Sequence, residues 1–587
     1  MSEHKRNVGA VVVSKGVSFR VWAPFADSVD VVGDFTVEPI AMKSEGDGYW
    51  HCLVKQAMVG QKYQYAVHRN EQIFYRNDPM ALYMPTAKGP SVIPDTSFDW
   101  QDDSFVPPPL NQQIIYELHV GTFYRPNPST QANFENVIEK LDHLAELGIN
   151  MIELMPISAM YNDQGWGYAP IYIHAIESIY GGLFGFKTLV REAHKRGIGV
   201  IVDVVYNHFY QDIEHGLWRF DGWYENDGGG IYFYNDWRGN TPWGLRPDFG
   251  RPEVRQYLLD NALMFLSDCH VDSLRLDSTH YLHNVKGNSQ LMGDNLPEAW
   301  NFMQGLNQLA KSIDEHKTII AEDHADNEYI TKPISQGGAG FDAQWDLGCP
   351  YVLRDTLWSS NASEINLAGL LYLLNHRFND RAFERIGFVD SHDSAANGMV
   401  RFSNAISPKD PESKFAKQRQ LIAFGIITTA PLVPMLLQGQ EFMEAGDFND
   451  WRSLDWRKSD KHQGIVLAHQ HLISLRKNTA NVSSGLLGEH LNVSHIDDNN
   501  KVVAYHRWDN GGPGDDVVVV INCSNQSFES YEIGFPRNGL WRVRFNSTWA
   551  GYSDDFSDIL VADVFVDNGR GCFNLPENCI LILSQDS

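Results

Sequence analysis

The chain has 587 residues, 43% hydrophobic and 21% charged, an ordinary globular composition that excludes a disordered or fibrous protein. Its formal net charge of −27 repels phosphate backbones, so no nucleic-acid partner is expected. Aromatic residues reach 12%, including 16 Trp, and their flat faces suit sugar rings or bases; composition alone does not choose between them.

Met1 to Asn7 is polar, with no apolar core behind it, which predicts no signal peptide. Residues 1–105 read as a β-sandwich. Positions 17–22 (VSFRVW) alternate apolar and polar, as a half-buried strand does, and 29–34 and 62–67 continue the pattern between Gly and Asp turns. Pro107, Pro108 and Pro109 form a stiff connector and mark a domain boundary.

From Ile114 the pattern changes. Short, continuously apolar runs fall at 114–118, 151–155, 200–205, 273–277, 319–322, 387–390 and 434–437. Amphipathic segments such as 134–147 and 186–196 lie between them. Runs this apolar fit parallel strands covered on both faces. Repetition across residues 111–478 predicts an α/β fold, a (β/α)8 TIM barrel flanked by the N-terminal sandwich and a C-terminal one at 480–587. A doubly wound sheet is the structural alternative, but no GxGxxG follows the first run, which weakens a dinucleotide-binding reading. The longest apolar stretch, 421–437, contains Thr428, Thr429, Pro431 and Pro434. It reads as a buried helix leading into a buried strand, so no membrane span is expected. Strands at 502–508 and 517–522 begin the C-terminal β-region. Six cysteines without CxxC spacing predict free thiols in a reducing compartment, hence a cytoplasmic protein without a zinc site. A bridge between Cys572 and Cys579 stays open.

Charged residues recur where these runs end, and in a (β/α)8 barrel that end is the active-site face. They are Asp203 to His208 (DVVYNH), Arg275 with Asp277, Glu322, and His392 with Asp393. One such carboxylate is readily a helix cap or a salt-bridge partner. Four segments in order, assigned to strands three, four, five and seven, point several carboxylates at one cavity. The stretches 203–277 and 322–393 are each long enough for two βα units, and 277–322 for one. Crowded carboxylates push one another's pKa values apart, giving an ionised nucleophile and a protonated acid. Breaking a glycosidic bond needs that pair.

With these four segments in this order, the sequence resembles the α-amylase superfamily of retaining α-glucan-active enzymes (glycoside hydrolase family 13) along essentially the whole chain. The resemblance implies an α-glucan or maltooligosaccharide substrate and a role for each matching residue. Asp277 is the nucleophile that forms a glucosyl-enzyme, Glu322 the general acid and then base, and Asp393 a binder of sugar hydroxyls that stabilises the transition state. Arg275 keeps Asp277 ionised, His208 and His392 hydrogen-bond the sugar, and Asp203 supports that site. Gln164-Gly165-Trp166-Gly167-Tyr168 follows strand two, and Tyr168 resembles the family's stacking platform. His280 occupies a place where some relatives contact substrate. Asn207 occupies the place of a calcium ligand in many relatives. Its companion ligands are not evident, so no cofactor or metal is assigned and calcium stays open.

Within the superfamily, Phe19-Arg-Val-Trp-Ala-Pro24 resembles the sandwich that precedes the barrel in branching enzymes, debranching enzymes and trehalohydrolases. Tyr116 to Phe123 resembles strand one of branching enzymes and trehalohydrolases. Gln438-Gly-Gln-Glu-Phe442 and Trp451-Arg-Ser-Leu-Asp-Trp456 favour a 1,4-α-glucan branching enzyme. Thr241-Pro-Trp-Gly244 and Phe341-Asp-Ala-Gln-Trp345 look closer to a maltooligosyltrehalose trehalohydrolase, and Asp323-His324-Ala325-Asp326 departs from the branching pattern. Branching is the first expectation; trehalohydrolase or another α-glucan hydrolase is the alternative. A catalytically silent binding barrel is remote, because Asp277, Glu322 and Asp393 are all present.

Overall fold

The computed structural model describes residues 7–587 apart from 128, 163–164, 212–215, 289–290, 325 and 360. Gln164 of the strand-two motif therefore lies outside the described residues. The N-terminal module is two facing antiparallel sheets. One runs Gly9–Val13, Gly16–Trp22, Tyr49–Val54, Lys43–Gly46; the other runs Ile40–Ala41, Ser28–Gly33, Lys62–Arg69, Gln72–Arg76, with Ser91–Val92 beside Lys62–Arg69. The alternation read in the sequence is realised. Val17, Phe19 and Val21 of one sheet share a core with Val29, Val31, Tyr63 and Tyr65 of the other.

The central domain is a closed parallel barrel of eight strands: Ile115–Leu118, Met151–Leu154, Gly199–Val204, Ser273–Leu276, Thr318–Ala321, Ala343–Trp345, Arg385–Phe388 and Val433–Leu437. Ile115 pairs with Met435, which closes the ring and excludes an open doubly wound sheet. Seven of these strands coincide with the apolar runs. The sixth, Ala343–Trp345, is only three residues with Gln344 at its centre, too short and too polar to stand out. Asp203 lies on strand three and Asp277 directly follows strand four, so that stretch holds one βα unit, not the two its length allows. The excess is irregular chain, described over 205–211 and 216–251, crossed by isolated bridges such as Phe209 with Leu245 and followed by the helix Pro252–Leu263. The stretch 421–437 is the end of the buried helix Lys414–Thr429 and then the eighth strand.

After the helix Gln463–Arg476 the chain builds a six-stranded sheet in the order His490–Asp497, Val502–Trp508, Val517–Asn522, Cys579–Ser584, Gly539–Asn546, Val564–Val566. A two-stranded sheet, Phe528–Gly534 with Arg570–Leu575, accompanies it. This domain is joined to the barrel by buried polar contacts. The Thr429 hydroxyl meets the Tyr505 hydroxyl at 2.5 Å, and the Arg507 guanidinium donates to the carbonyls of Thr429, Leu486 and Gly488. The segment after the N-terminal module is held by a buried relay, with His194 bridging Asp103 (2.7 Å) and Asp272 (2.9 Å). All six cysteines are free, so Cys572 and Cys579 form no bridge; Cys572 is exposed, whereas the Cys579 thiol is buried. No helix among the described residues is long and apolar enough to cross a membrane.

Candidate active site

The site is assembled at the C-terminal ends of the barrel strands around one guanidinium. Arg275 lies inside strand four, fully buried. Its Nη1 donates to Asp203 Oδ2 at 2.6 Å and to Asp277 Oδ1 at 3.2 Å, and its Nη2 meets Glu322 Oε2 at 2.7 Å. Burial opposes a charge on Arg275, but Asp203 and Glu322 outweigh it, so the guanidinium stays charged. Below it the ring centre of the Trp345 indole from strand six lies 4.3 Å from the guanidinium carbon, a cation–π contact between two buried groups.

Asp277 follows strand four directly and is buried. Its second oxygen, Oδ2, accepts from Asn207 Nδ2 at 2.9 Å. The next residue, Ser278, has φ 45°, a left-handed conformation that costs a non-glycine residue about 1–3 kcal/mol. That turn aims the Ser278 N–H at Glu322 Oε2, 3.0 Å away. Glu322, just beyond strand five, is also buried, and its Oε1 lies 3.4 Å from His324 Nε2. Asp277 and Glu322 titrate as a pair. Burial, then the charge on Glu322, pushes the Asp277 carboxyl well above the usual range. Burial opposes the Glu322 charge, but Arg275, then His324 and the Ser278 N–H, hold that carboxyl well below it. The surroundings of the ligand-free pair thus favour charge on Glu322 over charge on Asp277. Arg275 was expected to keep Asp277 ionised. Its two shortest carboxylate contacts instead go to Asp203 and Glu322, because those carboxylates meet the fork more closely.

The other expected residues gather around this centre. Tyr168 gives its hydroxyl to Asp203 Oδ2 at 2.5 Å, and its ring stacks on His392 at 5.2 Å. His392 bonds Glu117 of strand one twice, through its backbone N–H (2.9 Å) and through Nδ1 (2.5 Å). Burial works against a His392 cation, but Glu117 outweighs it and raises the imidazole above its usual range. Its Nε2 is the nitrogen left to meet a sugar hydroxyl. Asp393 is exposed at the rim and accepts from Asn397 at 2.9 Å. His280 is buried, its Nδ1 has no hydrogen-bond partner, and burial, then His324, pushes it down to about 4.

His208 differs from the expectation. Both ring nitrogens already face protein oxygens, Asn207 Oδ1 at 2.6 Å and the Tyr168 carbonyl at 2.8 Å, and burial pushes the ring down to about 4. It braces the Asn207–Asp277 contact and the Tyr168 loop, and meets a sugar only by yielding one of those bonds. Asn207 has its amide on Asp277 and its carbonyl facing His208. Both ends of its side chain are thus used within the protein.

Sequence reasoning missed Glu117, Glu153, His324 and Trp345 as parts of this site. Glu117 and Glu153 are carboxylates inside otherwise apolar strands, a signal present in the sequence. Glu153 is buried with neither oxygen hydrogen-bonded, and burial, then Glu117, pushes its carboxyl well above the usual range.

Comparison with known proteins agrees with this geometry. Residues 7–81 match carbohydrate-binding module 48 (isoamylase N-terminal domain). Residues 118–215 match the alpha amylase catalytic domain, and 493–586 the alpha amylase C-terminal all-beta domain. A 1,4-alpha-glucan branching enzyme GlgB 2 from Xanthomonas oryzae pv. oryzae is 32% identical over 574 residues, covering 92% of this chain and 76% of that protein. The 1,4-alpha-glucan branching enzyme GlgB of Thermosynechococcus vestitus is 30% identical over 588 residues, covering 91% and 74%. Among solved structures, a pullulanase from Paenibacillus barengoltzii in complex with maltohexaose and alpha-cyclodextrin superposes with a TM-score of 0.77 at 21% identity. That alignment covers 99% of this chain and 96% of the other. A pullulanase from Anoxybacillus sp. LM18-11 gives 0.76 at 18%, covering 99% and 87%; these two show the shared fold. With the carboxylates bridged by one arginine at the mouth of a closed barrel, and with relatives aligned along nearly its full length, the chain belongs to the α-amylase family, among the 1,4-alpha-glucan branching enzymes.

Proposed function

We propose that this enzyme cleaves an α-1,4-glucosidic bond with retention and transfers the released chain to a glucan 6-hydroxyl. The observation that carries the reading is the Asp277–Glu322 pair joined through Arg275. Two carboxyl groups held on one guanidinium suit the short separation of a double displacement better than the wider gap of an inverting pair. Asp277 attacks the anomeric carbon while Glu322 protonates the departing oxygen. In the second step Glu322, now ionised, takes the proton of the acceptor hydroxyl as that oxygen displaces Asp277. Tyr168, His392 and Asp393 line the sugar side, His280 the side of Glu322. Asp203 and His208 support them from behind.

The named relatives favour branching over the trehalohydrolase reading. Six free cysteines, four of them buried, support a reducing, cytoplasmic setting. The test is product analysis after incubation with amylose and, separately, with a maltooligosyl-trehalose. New α-1,6 branches with few new reducing ends are expected from amylose. Only shorter maltodextrins would mark a hydrolase, and free trehalose from the second substrate a trehalohydrolase. Asp277→Asn is the control and should lower every one of these activities by roughly 10³-fold or more.

A further inference from the structure

We propose that His324 is a positioning residue whose charge decides which member of the Asp277–Glu322 pair carries the working proton, so that the enzyme is active when His324 is neutral. The proposal rests on the catalytic assignment of that pair, and begins from its two ends. Glu322 Oε2 accepts from the Arg275 guanidinium at 2.7 Å and from the Ser278 N–H at 3.0 Å. An oxygen already facing two donors cannot itself be the proton donor. The working oxygen is therefore Oε1, and its neighbour is His324 Nε2 at 3.4 Å.

The contact is built into the fold. The backbone around Glu322 is pinned by Thr279, which donates its N–H (2.8 Å) and its hydroxyl (2.7 Å) to the Glu322 carbonyl. Asp323 is anchored by Thr279 at 3.0 Å and His283 at 3.2 Å. The His324 ring packs on His280 at 4.3 Å, and its side chain is 50% exposed against 7% for Glu322. It thus joins a buried catalytic oxygen to solvent and can exchange a proton freely. The groups facing it are Glu322 and Asp323 on its own loop, His280 from the turn after strand four, and Asp393 from the loop after strand seven. Burial opposes the imidazolium, but Glu322, Asp323 and Asp393 outweigh it and hold His324 above the ordinary histidine range. His280 stays neutral beside it.

The consequence is a division of one proton. With His324 charged, Oε1 faces a cation and Oε2 a second one, so Glu322 is ionised and Asp277 holds the proton. Neither residue can then perform its step. With His324 neutral, one of those cations is gone. The proton moves to Glu322 Oε1, Asp277 becomes the carboxylate nucleophile, and the number of protons on the pair is unchanged. An incoming glycosidic oxygen then takes the place of His324 against Oε1.

The experiment is the pH profile of kcat/KM for total α-1,4 cleavage, counting transfer and hydrolysis together, in the wild type, His324→Asn, His324→Gln and His324→Lys. In the neutral variants the acid limb should move to lower pH. The ratio of activity at pH 5.5 to that at pH 7.5 should rise about threefold or more, the effect of half a pH unit of limb shift. His324→Lys, charged throughout, should lose activity by about tenfold across the neutral range while binding maltooligosaccharide as the wild type does. Acid limbs unmoved in both neutral variants would overturn the proposal, as would full neutral-range activity in the lysine variant. Because the readout is bond cleavage, a wild type that cleaves without branching leaves this test intact. A wild type that cleaves nothing refutes the catalytic assignment itself.

Discussion

At the scale of single residues, the site is governed by sharing. Arg275 serves three carboxylates, and Asp203 is held by both Arg275 and the Tyr168 hydroxyl. Tyr168 thus has a role beyond a stacking face, because its hydroxyl is one of two donors to the carboxylate that steadies the guanidinium. Replacing Tyr168 by Phe keeps the ring on His392 and removes that bond together with the longer contact, 3.4 Å, that the hydroxyl accepts from Arg275. A hydrogen bond to a charged group contributes about 1.5–3 kcal/mol, so steady-state kinetics should show kcat lower by roughly tenfold or more with KM little changed. A KM effect alone would assign Tyr168 to sugar contact and not to the Asp203 brace. Asp277, Glu322 and Asp393 were legible because each lies at or just beyond the end of a strand, in an order that geometry explains. Their partners were less so. Asn207 was visible, but its bond to the nucleophile was not, since a local motif does not say which of two neighbouring strands an amide will reach.

At the scale of elements, most of the barrel could be read from runs of apolar residues. Strand six could not, because a three-residue strand carries almost no periodicity, and Ala343–Trp345 has Gln344 at its centre. Yet this short strand delivers the indole under Arg275. Trp345→Leu should cost roughly 2–4 kcal/mol of stability in a urea unfolding experiment and lower kcat as the guanidinium loses its support. Trp345→Phe, which keeps a ring over the cation, should retain most of the activity; equal losses in both would make the indole a packing residue only. The motifs after strand eight show the complementary lesson. Glu441 accepts from the Tyr116 hydroxyl at 3.1 Å and meets His143, while the Trp456 indole donates to the Phe123 carbonyl at 2.7 Å. These family signatures bind strand eight to the elements around strand one, so they reported on barrel closure before they reported on chemistry. The stretch 203–277 was misjudged because length alone cannot separate an insertion from a βα unit.

At the scale of the whole molecule, three domains are connected through buried polar contacts that burial makes sensitive to charge. His194 is the clearest case, lying between Asp103 and Asp272 in the contact that ties the inter-domain segment to the barrel. Burial opposes its charge, but Asp272 and Asp103 prevail and raise it above its ordinary value of 6.5. A group raised on folding contributes fully below its unfolded pKa and loses that contribution as pH climbs through the higher folded value. His194→Gln should therefore lower the thermal midpoint more at pH 6 than at pH 9, measured by calorimetry. An equal deficit at both pH values would show that the histidine acts by shape. The pairing of Glu117 with His392 has a consequence of another kind. One partner is on the first barrel strand and the other follows the seventh, and the ring closes only when Ile115 meets Met435. During synthesis the nucleophile, the acid and their arginine leave the ribosome well before the strand that completes the wall around them. A nascent chain stalled before residue 433 therefore carries Asp277, Glu322 and Arg275 without the strand that closes the barrel around them.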